Sequence, residues 1–404
     1  MATFFLILIY FAFISLGLPD SLLGATWPVM QPGFAVPYSY AGIASMVISG
    51  GTIVSSLLSG RVIRRFGTGK VTFVSVLMTA VALLGFSLAP SFVWILALAV
   101  PLGLGAGAVD SGLNEYVAEH YQARHMSWLH CFWGIGAMTG PLIMAQLIAH
   151  DHSWRSGYQI IAILQFALVG VLFFSLPLWK KVGSAVGDEA KSEAPAAEKT
   201  HGLLFPLQIR GVKIALVAFL FYCGVEATMG LWGGSYLVRA RGLEPATAAV
   251  WVSAFYGSIT LGRLIAGFVT LKVSNRALIR IGQGIIVGGV VVLFLPLPAI
   301  FALIGFLLIG LGCAPIFPSM LHETPVRFGK ENAQMVMGFQ MAVAYIGSTF
   351  LPPLFGFIAN ATSLALLPLF LLVYAALLLF SSERVNALLA TPVHAREADS
   401  PHLA

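Results

Sequence analysis

Charge is what this chain has least of. Asp, Glu, Lys and Arg make up 9% of its 404 residues, against 58% hydrophobic ones. A soluble domain carries about 25% charged residues, so a water-exposed surface of this size is excluded, and a mean hydropathy of +0.91 agrees. Cysteine is scarce too. Cys131, Cys223 and Cys313 each lie in an apolar run and make neither a disulfide framework nor a metal-ligand spacing. There is no Walker loop, nucleophile elbow or metal cluster. No enzyme activity and no cofactor are therefore expected, and any driving force must come from ion or solute gradients rather than ATP. No basic segment precedes the first apolar run at Phe4, and no small-residue cleavage site follows it, so it reads as a first membrane helix rather than a cleaved signal. The net charge of +6 sits in short loops between apolar runs, where it reports membrane orientation and not nucleic-acid binding.

What is present in abundance is apolar sequence in lengths of about 20 residues, enough for a helix to cross a bilayer. Twelve such spans are expected, at 3–24, 39–59, 70–90, 93–118, 126–149, 157–179, 212–237, 246–270, 277–297, 298–322, 332–358 and 363–382. With the N-terminus inside, 18 of the 22 Lys and Arg fall in inside loops and the tail. Arg155, Arg239 and Arg241 fall outside, and Arg263 lies within a helix. That skew fits only this orientation under the positive-inside rule, so both termini are expected to be cytoplasmic.

The longest polar stretch, 180–211, is rich in Ala, Glu, Lys and Ser and reads as a flexible cytoplasmic linker. It separates a six-helix bundle at 1–179 from a second at 212–382, followed by a polar tail, 383–404, expected to be disordered. The halves repeat at an offset of 207 residues: Gly50, Gly60, Gly103, Gly105, Phe132 and Gly140 match Gly257, Gly267, Gly310, Gly312, Phe339 and Gly347. Internal repeats of this kind mark secondary transporters, with the solute site between the repeats near the midplane. The expected fold class is an all-α membrane protein of twelve helices in two pseudo-symmetric bundles.

The loop after the second span, Gly60-Arg61 through Arg64-Arg65-Phe66-Gly67 to Lys70, resembles the signature of the major facilitator superfamily. Arg64 stands where that signature has an acid, which leaves the usual inter-half salt bridge without its carboxylate. Trp154-Arg155 at the sixth span is similar to a frequent pattern of the same superfamily. Within it, Phe221-Tyr222, Gly224 and Glu226, then Gly262-Arg263 and Gly267, Pro315 with Phe317-Pro318, and Leu351-Pro352-Pro353 with Gly356 resemble the fucose permease-like (fucose/galactose/hexose) sugar–proton symporters. The resemblance implies proton-coupled sugar symport by alternating access in a bacterial cytoplasmic (inner) membrane. The expected partners are lipid, protons and a small sugar, and the expected working unit is a monomer. The alternative within the same fold is a drug or metabolite efflux proton antiporter. Gly136 to Pro141 resembles the antiporter signature, although Leu142 to Ala145 lacks its paired glycines.

A carboxylate inside a membrane helix costs about 2.5–3.5 kcal/mol on insertion scales. This chain keeps Asp20, Asp110 and Glu226 there, with Glu115 nearer a helix end. Allowing one residue of slip, Asp20 and Glu226 occupy matching places in the repeat, which suits proton coupling or solute binding. The rival role for Asp20 is a hydrogen bond to the carbonyl that Pro19 leaves unpaired. Asp110 and Asn114 lie one helical turn apart, and acid plus amide suits sugar hydroxyls. The resemblance adds a coupling role for Asp110, with a gate as the rival.

Trp133 offers an aromatic plate for a sugar, and the repeat pairs it with Gln340, an amide. Tyr222 joins the expected solute site. His130 either relays protons or bonds a neighbouring helix. Trp232 and Tyr236 read as an aromatic belt or a gate. Arg61, Arg64, Arg65 and Arg263 read as structural or gating cations.

Overall fold

The computed structural model describes residues 2–121, 123–186, 205–270 and 272–390. Thirteen α-helices build it: α1 (Ala2–Asp20), α2 (Leu22–Phe34), α3 (Tyr40–Phe66), α4 (Thr68–Leu88), α5 (Phe92–His120), α6 (Ala123–Ala149), α7 (Trp154–Val186), α8 (Val212–Arg239), α9 (Pro245–Val269), α10 (Asn275–Phe294), α11 (Ile300–Phe328), α12 (Lys330–Ala361) and α13 (Leu367–Ala390). Helices α1 and α2 form one span, so twelve segments are long and apolar enough to cross a membrane. The chain is an all-helical membrane protein of twelve spans.

The first span runs to Phe34, ten residues past its expected end at 24, with a break at Ser21. Pro19 causes the break, since it has no N–H to give the carbonyl four residues back. That carbonyl, Ser15 O, instead accepts from Gln165 Nε2 of α7 at 2.8 Å.

Both polar segments are shorter than the sequence suggests. Helix α7 continues through 180–186, and a 3-10 turn at Phe205–Gln208 precedes α8. Helix α13 continues through 383–390, where a disordered tail was expected. Two contacts hold it. Val385 is buried in a cluster with Val212, Leu216, Phe328 and Val336, and Glu383 accepts two hydrogen bonds from Arg280, both at 2.6 Å. The rest of the expected linker, 187–204, and of the tail, 391–404, lies outside the described residues.

Helices alternate in direction, so the loops at 67, 121 and 270–274 share one end with the chain's basic loops, here called the basic end. The loops at 35–39, 240–244 and 295–299 share the opposite end. The two halves meet along three seams: α2 on α8, α3 on α12, and α6 on α9. Toward the opposite end two of these seams close to backbone contact, Gly24 on Gly230 and Gly42 on Pro353. Arg239 donates to the Tyr38 hydroxyl across the same end at 2.5 Å.

Helices α1 and α6 cross at backbone contact. A Cβ on Gly17 would run into the Trp133 carbonyl oxygen, and one on Gly136 into that of Ile14. Small residues permit such approach between membrane helices. Gly50 has open space instead. Gly136→Ala is therefore expected to cost about 1–3 kcal/mol by overpacking and Gly50→Ala less than about 0.5 kcal/mol. Thermal unfolding in detergent measures the difference between the two variants.

Candidate functional site

The α1–α6 crossing sets the first half of the site. It lays Trp133 beside Asp20, and the indole Nε1 donates to Asp20 Oδ2 at 2.8 Å. Because Gln165 already serves the carbonyl freed by Pro19, Asp20 has no such structural task. Asp20 is exposed, although Ser21 through Pro28 are all buried. Toward the opposite end the chain beyond it is packed, with Gly24 at backbone contact with Gly230.

Helices α8 and α9 supply the other half. Arg263 Nη2 lies 3.7 Å from Glu226 Oε1, and both side chains keep about a fifth of their surface exposed (18% and 19%). The Tyr222 hydroxyl donates to Glu226 Oε2. The Arg263 guanidinium sits 5.5 Å from the centroid of the Trp133 ring, a cation–π distance, and Tyr256 meets the same ring edge-on at 6.4 Å. A continuous array thus runs from Asp20 through Trp133, Arg263 and Glu226 to Tyr222, crossing from one half to the other.

A second polar group lies on the α5–α12 side. Asn114 Nδ2 donates to Asp110 Oδ1 at 2.9 Å, and Tyr345 of α12 donates to Asp110 Oδ2 at 3.5 Å. Asp110 and Asn114 therefore do share one face, and the partner from the other half is Tyr345. The side chain of Glu115 lies outside the described residues. His130 is exposed and sets its ring edge-on to Phe13 at 6.1 Å.

Three expectations about placement are corrected. Gln340 is buried and accepts from Thr324 Oγ1 at 3.0 Å, so it is not the amide beside the Trp133 plate. Trp232 and Tyr236 form no lipid belt. Both are buried, with Trp232 Nε1 donating to Pro352 O at 2.7 Å and the Tyr236 hydroxyl to Leu293 O at 3.1 Å. Asp20 and Glu226 do not occupy matching places either. The offset of 207 holds where Gly103 meets Ile48 O and Gly310 meets Phe255 O, but Gly140 meets Leu18 O while Gly347 meets Leu220 O. The first and seventh spans are therefore related by 202 residues, and Asp20 corresponds to Tyr222. Glu226 lies one turn further toward the opposite end.

Arg61, Arg64 and Arg65 are exposed at the basic end of α3. Arg65 covers the Phe66 ring at 5.4 Å, and none of the three forms an ion pair among the described residues. Sequence reading missed Tyr345 and Tyr256. Tyr345 meets Asp110 and Tyr256 meets the Trp133 ring only through the packing of helices far apart in the chain.

Residues 9–352 match the Major Facilitator Superfamily. The chain belongs to this superfamily. Its relatives include the cis,cis-muconate transport protein of Acinetobacter baylyi, 24% identical over 374 residues and covering 88% of each chain. They also include the glucose/mannose transporter GlcP of Bacillus subtilis, 24% identical over 367 residues with 88% of each chain covered. Among solved structures, a mutant of the nucleoside transporter NupG superposes with a TM-score of 0.73 at 13% identity, covering 94% of this chain and 98% of that one. A bacterial homolog of the human lysosomal transporter Spinster gives 0.71 at 13%, covering 95% and 97%. This superfamily member is a transporter of small solutes and not an enzyme.

Removing Arg263 alone would strand an ionised Glu226, and breaking a buried pair costs about 3–5 kcal/mol. The partial exposure of both side chains places the loss toward the lower figure. Arg263→Gln is expected to lower the unfolding temperature in detergent. Arg263→Gln combined with Glu226→Gln is expected to recover most of it.

Proposed function

We propose that this superfamily member is a proton-coupled symporter of a small hydroxylated solute of the sugar class, working by alternating access. The observation that carries the proposal is the charge balance of the array. Within the array and the neighbouring α5 group, Asp20, Asp110 and Glu226 are met by a single cation among the described residues, Arg263. Unpaired carboxylates in a low-dielectric interior are expensive, so the excess is relieved by protons. Asp20 reaches solvent and carries no structural duty, which makes it the acid best placed to load and release one. Asp110, held by Asn114 and touching Tyr345 across the seam, is suited to report protonation to the other half.

Trp133 Nε1, the Arg263 fork, Asn114 and the acids together present the mixed donors and acceptors that hydroxyl groups require. The hexose transporter among the relatives supports a sugar-sized solute. The positive-inside rule makes the basic end cytoplasmic, so closure at the opposite end corresponds to an inward-open state. Rocking of the two six-helix bundles would open the other side, and coupling follows because proton and solute bias one equilibrium. The working unit is a monomer in a bacterial cytoplasmic membrane.

Proteoliposomes acidified on the outside are expected to accumulate labelled hexose, and Asp20→Asn to abolish accumulation while leaving downhill exchange. Uptake indifferent to both the pH gradient and this substitution would reject the proposal. Export of lipophilic cations against the gradient would favour the antiporter instead.

A further inference from the structure

Arg263 and Glu226 are poorly matched as a permanent ion pair. The chain shows what a settled pair looks like: Arg280 and Glu383 exchange two hydrogen bonds of 2.6 Å each, the fork geometry that arginine and carboxylate favour. Arg263 and Glu226 approach only to 3.7 Å, although both lie in membrane-spanning helices where tight pairing would be worth more. Glu226 has a second anchor in the Tyr222 hydroxyl. The guanidinium lies over the Trp133 ring at 5.5 Å, and the 18% of the Arg263 side chain that is exposed leaves part of its donor fork unspent.

We infer that Arg263 is the anchor for a carboxylate on the transported solute, and that Glu226 is a placeholder which the solute displaces. This rests on the reading of the array as a proton-coupled solute site, and it narrows the solute to a small hydroxylated carboxylic acid such as a sugar acid. The solute carboxylate takes the planar fork of Arg263, a geometry that lysine cannot reproduce. Glu226 stays on Tyr222 and accepts one proton from the aqueous opening on a carboxylate oxygen. No other bond forms or breaks. One anion and one proton enter together, so the step is electroneutral and adds no charge to an array already rich in carboxylates.

The surroundings of Glu226 agree with this role. It faces Arg263 and Tyr256 of α9, Tyr222 and Cys223 of its own helix, and Cys313 of α11. Helix α12 contributes Ser348 beside Cys223, and α2 carries no titratable residue. Arg263 is thus the sole cation among these groups, and any solute anion that enters must compete with Glu226 for it. The hydroxyl-bearing remainder of the solute would meet Asp20 and the indole edge of Trp133.

The test uses the full chain in proteoliposomes acidified outside, with labelled D-glucose, D-gluconate and D-glucuronate as probes and thermal shift in detergent as a binding readout. The expected result is concentrative uptake of an acid probe at a rate at least about tenfold above glucose. Arg263→Lys should weaken acid binding by about tenfold or more, the loss of one charge-assisted hydrogen bond. Glu226→Gln should keep acid binding yet no longer concentrate the acid in response to the pH gradient. Arg263→Gln with Glu226→Gln, a neutral pair of similar shape, should lose the thermal shift from the acids while remaining folded. Proton-driven glucose uptake with both acids inert overturns the carboxylate inference and leaves the symport reading intact. Acid uptake unchanged in Arg263→Lys and in the double variant also overturns it. Failure of all three probes to respond to the pH gradient rejects the symport reading and this inference together.

Discussion

A charge inside a bilayer must be paired, protonated or open to water, and the central part of this molecule is arranged around that constraint. Glu226 has a cation and a phenol, Asp20 has an indole N–H and access to solvent, and Asp110 has an amide with a tyrosine from the other half. Each solution is partial. The carboxylates outnumber the guanidinium, and the one ion pair among them is loose. A site that satisfied every charge completely would bind nothing, because solute and proton could only replace better contacts with worse ones. Under the proposed symport reading, this incomplete satisfaction is what lets proton and solute bias the two halves.

Side chains meet in this way because the helices approach very closely. Backbone contact at Gly17 and Gly136 brings the indole of Trp133 to the carboxylate of Asp20. Backbone contact at Gly24 and Gly42 brings the two halves together toward the opposite end, beyond the exposed acid. Packing in a membrane has no hydrophobic drive between helices, so van der Waals contact of this closeness carries more of the association. The same contacts reveal that the internal repeat is imperfect. The second, third and fourth spans keep the offset of 207, whereas the first and seventh differ by 202. That slip of five residues places a tyrosine where exact symmetry would place a second acid, and the site is correspondingly asymmetric, with acid and indole on one side and cation, acid and phenol on the other.

The basic end shows the converse arrangement. Glu323 is shared by Arg276 and Arg327, both at 3.2 Å, and Arg327 continues to Asn386 at 3.0 Å. These charges are matched within the C-terminal helices and tie α10, α11 and α13 together, which is why α13 outlasts its apolar run. The N-terminal counterparts Arg61, Arg64 and Arg65 carry no such network among the described residues. One half is therefore braced at this end by its own ion pairs, whereas the three arginines of the other are exposed and show no ion pair among the described residues.

Composition and spacing alone determined the number of spans, the end that bears the basic loops, and the candidate acids Asp20, Asp110 and Glu226. Hydropathy is a property of segments, and the cost of charge in lipid makes each exception visible in a linear reading. Tertiary packing alone decided which of those exceptions meet. It put Gln340 against Thr324 and away from Trp133, buried Trp232 and Tyr236 against backbone carbonyls, brought Tyr345 to Asp110, and joined Arg263 to both Glu226 and Trp133. The reason is physical. Helical periodicity says which face a side chain occupies, but the face it meets depends on the rotation and depth of another helix, set by glycine contacts distant in the chain.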